Sequence, residues 1–141
     1  MSVNFTSVKK SQIQEVLDFW KIHAENHSRP FDSAELVTQL IERDPDALIL
    51  AIHEGKIVGT VIVGWDGWRG SIYRLAVDGN LKGQGLGRQL MEKAEERLKS
   101  LGATRVNAVV YEENLAAHSF YHRLGYSKQL EWARWIKDLG C

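Results

Sequence analysis

Disulfides play no part in shaping this chain: its one cysteine, Cys141, is the last residue and has no partner within it. Cys141 reads as a tolerated tail residue, and such sparing use of cysteine suits a reducing compartment. Excess charge of either sign is lacking too. Lys plus Arg number 18 and Asp plus Glu number 18, so the formal net charge is zero, no overall basic surface draws polyanions, and neither nucleic acid nor an anionic membrane is an expected partner. No apolar run is long enough to span a bilayer, and Met1 to Lys10 holds no stretch resembling the core of a secretory signal. A cytoplasmic location is the expectation. Proline occurs only at Pro30 and Pro45, and no repeat, low-complexity tract or Gly/Ser linker interrupts the chain. One domain over residues 1–141, able to bury a core unaided, is the reading that remains.

Periodicity then supplies the elements. After a short strand near Val3 to Val8, Ser11 with Gln14 forms a capping signal, and Ile13, Val16, Leu17, Trp20 and Ala24 follow helical spacing. Asp32 with Glu35 repeats the start signal for a second helix, whose apolar face is Leu36, Val37, Leu40 and Ile41 and which Asp44 and Pro45 stop. Leu48 to His53 and Lys56 to Val63 are β-rich runs joined by Glu54 and Gly55, a hairpin signature. A turn near Asp66 and Gly67 precedes a strand from Ser71 to Val77. Leu86, Leu90, Met91, Ala94, Leu98 and Leu101 form one long helical stripe that Gly102 ends. Thr104 to Val110 reads as a strand, Leu115 to Leu124 as a helix, and Tyr126 to Ile136 as one or two further strands. The predicted fold is α/β (α+β): a mixed, mostly antiparallel sheet of about six or seven strands flanked by about four helices.

Between the strand ending at Val77 and the long helix lies Lys82, Gly83, Gln84, Gly85, Leu86, Gly87. Glycines there let the backbone turn sharply and approach a ligand, and the first N–H groups of the following helix point at whatever sits before them. Those groups and the helix dipole suit a phosphate or pyrophosphate. An ordinary glycine-rich loop is the plain alternative. No P-loop pattern is present, and a dinucleotide fingerprint would need its third glycine where Arg88 stands.

A second constellation, Asn114, Leu115, Ala116, Ala117, His118, Ser119, Phe120, Tyr121, His122, Arg123, Leu124, Gly125, Tyr126, sets Ala117, Phe120, Tyr121 and Leu124 on one helical face. By itself it reads as a short amphipathic helix. Together with Leu75, Ala76, Val77 and the glycine turn at their observed separation, it resembles the GNAT superfamily of N-acetyltransferases over about Leu48 to Tyr126. The stretch Gly64 to Ser71 also looks like a YpeA-like bacterial branch.

The resemblance implies acetyl-coenzyme A as cosubstrate and no metal. It implies that Leu75, Ala76 and Val77 pair with the pantetheine arm. Main-chain N–H groups of Gly83, Gln84, Gly85, Leu86 and Gly87 hold the pyrophosphate, with Lys82 where relatives prefer Gln or Arg. Asn114 helps position the cosubstrate, and Tyr121 is the general acid to the departing thiolate. Arg29, Phe31 and Asp32, between the first two helices, and Trp65 are candidate acceptor contacts, although Asp32 is equally a helix cap and Trp65 equally hairpin packing. Relatives often carry a basic carboxylate where this chain has Tyr73 and Arg74. Asp66 is then the candidate base, with Glu112, Glu113 and a water relay as alternatives. His118 and His122 stand four apart without a third ligand and read as solvated helix residues. The expected activity is direct transfer of an acetyl group to a primary amine, in a small molecule or a peptide. A noncatalytic acyl-coenzyme A sensor or interaction module is the alternative, and a nucleotide oxidoreductase the outlier. A homodimer is among the assemblies open to the chain.

Overall fold

The structure, a computed structural model, describes residues 2–140, so Cys141 lies outside the described residues. The chain forms two compact units, one running to Tyr111 and one starting at Glu112.

In the first unit, strands β1 (Asn4–Ser7), β2 (Leu48–His53), β3 (Lys56–Trp65), β4 (Gly70–Val77) and β5 (Val106–Ala108) form a single sheet in that order. The pairs up to β4 are antiparallel and β4–β5 is parallel, because a helical crossover separates β4 from β5. Five strands among the described residues replace the predicted six or seven. The β2–β3 turn is tight because both of its residues, Glu54 (φ 51°) and Gly55 (φ 75°), adopt the left-handed conformation that matches strand twist.

Helices α1 (Ile13–His23), α2 (Ala34–Arg43) and α3 (Leu86–Leu101) cover the sheet. Adjacent strand residues face opposite ways, and β3 shows the consequence. The Thr60 hydroxyl accepts a hydrogen bond from the Trp20 indole of α1 at 2.9 Å, whereas a Cβ on Gly59 would lie 2.8 Å from Leu90 of α3. Thus α1 and α3 lie on opposite faces. On the α1 side Val16, Phe19, Trp20, Val37 and Ile41 pack with Leu48 and Leu50. On the α3 side the buried stripe is Leu86, Leu90, Met91, Ala94 and Leu98, as periodicity predicts, while Leu101 is exposed.

Two helix starts differ from expectation. A 3-10 turn over Lys10–Gln12 opens α1, and the Lys9 N–H donates to Gln12 Oε1 at 2.9 Å; Gln14 instead donates to Asp18 at 3.0 Å. Ser33, not Asp32, caps α2, its Oγ accepting the Leu36 N–H at 3.2 Å. Either residue satisfies the local cap pattern, and Asp32 is committed elsewhere.

In the second unit α4 (Leu115–Arg123) starts at Asn114, whose Oδ1 accepts the Ala117 N–H at 3.1 Å, and ends at left-handed Gly125. No strand follows β5 among the described residues, which corrects the expectation for Tyr126 to Ile136. Leu130, Trp132, Trp135 and Ile136 are exposed there. Side chains of high β-propensity do not make a strand without a partner ladder.

Candidate active site

Pairing between β4 and β5 stops at Ile72 and Ala108. From Tyr73 to Val77, β4 is bonded to β3 alone and has no strand on its other side among the described residues. An extended ligand can add there as a strand does. Leu75, Ala76 and Val77 lie on this stretch.

Beyond Val77 the Asp78 carboxylate accepts the Asn80 N–H at 2.9 Å and closes a single 3-10 turn, Gly79–Leu81. Lys82 is extended, and Gly83 (φ 84°) and Gly85 (φ 82°) are left-handed on either side of Gln84. Alternation of this kind turns successive N–H groups toward one concavity, a nest for anions. Gly85 is the N-cap of α3, and no side chain caps the helix or places an acid in its first turn. The amides of Leu86 and Gly87 are therefore offered to a ligand, while the Leu86 side chain is buried and anchors the helix. Nothing lies within 4 Å of where a Cβ on Gly83 or Gly85 would stand, so the loop is open, with Lys82 and Arg88 exposed beside it. Residues, charge and free edge fit an acyl-coenzyme A, an extended chain ending in phosphates.

Sequence reasoning noted Arg74 only as the absence of a carboxylate. Between the pairs Thr60–Ala76 and Ile62–Tyr73, β4 carries one residue more than β3, a bulge containing Arg74 at φ 52°. Left-handed geometry costs a branched or long side chain on the order of 1–3 kcal/mol, so the surroundings must hold it. They do so at both ends of the residue. The Arg74 carbonyl accepts from Thr60 Oγ1 at 2.8 Å, and Thr60, fully buried, accepts in turn from Trp20. Across the trans peptide this turns the Leu75 N–H away from Thr60. The guanidinium, with its side chain only 6% exposed, pairs with Asp32, donates to the Glu25 carbonyl at 2.9 Å and lies 5.2 Å from the Trp20 ring centre. A long-range ion pair of this kind leaves no local sequence signal.

The acceptor candidates separate. Asp32 is held by Arg74, with Arg29 3.7 Å from its other oxygen, and Phe31 is 85% exposed. Trp65 pairs with Gly70, at the end of β4 opposite Val77. Asp66 lies in the turn beyond that pair, where its carboxylate accepts the Arg69 and Trp68 N–H groups at 2.6 and 2.7 Å. Those bonds hold its carboxyl below the usual range. In the second unit, burial pushes the Tyr121 phenol up to about 12, and its ring meets those of Phe120 and Tyr126 edge-on. Lys128, bonded to Glu112 at 2.6 Å, holds that carboxyl down. His118 Nε2 lies 3.1 Å from the Glu112 carbonyl oxygen.

A mixed sheet opening beside β4, followed by a glycine nest on a helix start, defines a class of protein built to take a long phosphorylated thioester. Residues 13–126 match the model of the acetyltransferase (GNAT) family. An acetyltransferase of Yersinia enterocolitica is 33% identical over 122 residues, 86% of this chain and 85% of that protein. Among solved structures, Ard1 from Thermoplasma volcanium superposes with a TM-score of 0.79 at 18% identity, covering 92% of this chain and 86% of that one. The ribosomal-protein-S18-alanine N-acetyltransferase of Escherichia coli gives 0.73 at 20% identity, covering 92% and 80%. The chain belongs to the GNAT family, and it is an acetyl-coenzyme A-dependent acetyltransferase.

Proposed function

We propose that this enzyme acetylates a primary amine by direct attack, with no acetyl-enzyme intermediate. The observation that carries the reading is the pair of left-handed glycines, Gly83 and Gly85, opening the uncapped start of α3 beside the free edge of β4. Acetyl-coenzyme A, when bound, supplies an acetyl group activated as a thioester. Main-chain groups of Leu75, Ala76 and Val77 bind its arm, and N–H groups from Gly83 to Gly87 bind its pyrophosphate, with Lys82 adding charge. Asn114 orients the cosubstrate.

The acceptor arrives as an ammonium of pKa near ~10 and must lose a proton before it attacks. Transfer then forms a C–N bond, breaks the C–S bond and leaves a thiolate that needs a proton. Tyr121 gives that proton. A phenol with a pKa of about 12 holds its proton at neutral pH, so the proton is in place when the thiolate departs, while the same shift makes it a weaker acid than a free tyrosine. The Leu75 N–H stabilises charge on the acetyl oxygen. For the incoming amine, a water relay accepts the first proton more readily than Asp66, whose basicity the turn has lowered and which sits at the other end of β4. Of the acceptor candidates, Arg29, Phe31 and Asp32 belong to one segment, in which Phe31 is exposed and Asp32 is paired with Arg74 and Arg29, and Trp65 is the outlying member.

The test is a screen of amines with acetyl-coenzyme A, reading free thiol, with Tyr121→Phe as control. Thiol release that needs both amine and Tyr121 is expected. Tight binding without turnover over a broad amine panel would overturn the reading in favour of a sensor.

A further inference from the structure

One segment, residues 24–33 between α1 and α2, is fastened at two places that the sheet has pulled apart. At one place Arg74 of β4 grips it, through the Glu25 carbonyl and the Asp32 carboxylate. At the other, His27 lies against Tyr111, three residues beyond β5, with ring centres 4.2 Å apart. Because β4 and β5 part after Ile72 and Ala108, the segment bridges the opening between them. Arg74 directly precedes Leu75, where the free edge proposed for the acetyl donor begins.

We propose that Arg74 is a positioning residue whose guanidinium fixes the 24–33 bridge over the mouth between β4 and β5, and so sets how the acceptor amine is held without taking part in holding the donor. The inference rests on the amine-acetyltransferase reading above. Arg74 suits the task because its own place is over-determined: its carbonyl is tied through Thr60 to Trp20, and its guanidinium lies over the same Trp20 ring. A planar fork can also serve two oxygens on different residues at once, which an ammonium does less well. The Asp32 carboxylate is thereby spent on Arg74 and Arg29, so the bridge does not present it as an unpaired partner for an ammonium. It presents the exposed Phe31 ring instead.

The test compares wild type with Arg74→Met, Arg74→Lys and Asp32→Asn. Hydrogen exchange of residues 24–33, coenzyme A affinity by calorimetry, and amine KM are measured for each, with spermidine, lysine and an alanine-starting hexapeptide as acceptors. Arg74→Met is expected to speed exchange in 24–33 but not in α3, and to raise amine KM on the order of tenfold while coenzyme A affinity stays within about twofold. Arg74→Lys should fall between it and wild type. Asp32→Asn removes only one end of the pair and should move the same two readouts if Arg74→Met fails to fold. Unchanged exchange in 24–33, or amine KM and coenzyme A affinity weakening together, would overturn the proposal. If no acceptor is consumed, segment exchange alone decides it. A wild type that binds no coenzyme A would sink the acetyl-transfer reading separately.

Discussion

Tyr121 and Asp66 show how local surroundings push two acids in opposite directions, one up and one down. Burial alone raises the phenol, since a phenolate in poorly solvated surroundings costs more than in water. Replacing Tyr121 with Phe should lower kcat by about 10²-fold or more while coenzyme A affinity hardly changes, because in the proposed mechanism the hydroxyl acts only as the thiolate departs. Steady-state kinetics beside calorimetry checks both halves. With a pKa of about 12, the phenol also contributes no falling limb to the wild-type pH–rate profile below about pH 10. Asp66 is lowered by two main-chain N–H donors in its own turn. A carboxyl depressed on folding adds stability that is present above its unfolded pKa near 3.8 and lost as pH falls through the folded value. Asn can keep the turn but not the charge. The melting difference between wild type and Asp66→Asn should therefore be steady from pH 5 to neutrality and shrink below about pH 4, as a pH series of thermal melts would record. Turnover of Asp66→Asn at pH 7 should match wild type if water takes the amine proton.

At the scale of elements, close approaches make the sharpest predictions. A Cβ on Gly59 would stand 2.8 Å from Leu90 and 3.3 Å from the Ala76 carbonyl oxygen, so β3 and α3 can meet only because that side chain is missing. Gly59→Ala should destabilise by roughly 1–3 kcal/mol through overpacking, read by urea denaturation. Gly85→Ala differs in kind: the space is empty but φ is 82°. Strain of about 1–2 kcal/mol is expected there, together with weaker coenzyme A binding as the α3 amides tilt away. Calorimetry would separate it from Gly59→Ala, whose substitution lies on the core side of β3. The same contrast marks what was legible in the sequence. The α3 stripe, the Glu54–Gly55 hairpin and the glycine turn depend on neighbours within a few residues, and all were readable. The α2 cap falls on Ser33 because Asp32 and Ser33 both satisfy the local cap pattern, whereas α1 opens through a 3-10 turn behind Lys9, whose side chain makes no cap and so gives no signal. The strands expected over Tyr126 to Ile136 do not form among the described residues, because Trp132, Trp135 and Ile136 have β-prone side chains whether or not a partner ladder is there. Arg74 was the largest omission, its partner Asp32 standing 42 residues away.

Over the whole molecule the charge is zero, so a polyanionic cosubstrate is not drawn in by a general field. On the proposed reading its phosphates are recognised locally, by the amides from Gly83 to Gly87 and by exposed Lys82. Neutral amides are little affected by salt, whereas an exposed ammonium is screened over about 8 Å at physiological ionic strength. Coenzyme A affinity should accordingly weaken only modestly as salt rises, and Lys82→Ala should flatten that dependence while keeping most of the binding. Because the ligand binds the folded chain alone, saturation links site and stability. At a hundredfold excess over Kd it adds about 2.7 kcal/mol, which for a chain of this length raises Tm by roughly 5–15 °C. Acetyl-coenzyme A should give that shift in wild type and Tyr121→Phe alike, and a much smaller one in Gly85→Ala. A Tyr121→Phe protein that lost the shift would place the phenol in donor binding instead of proton transfer, because a group that acts only as the thiolate leaves cannot change the affinity of the resting complex.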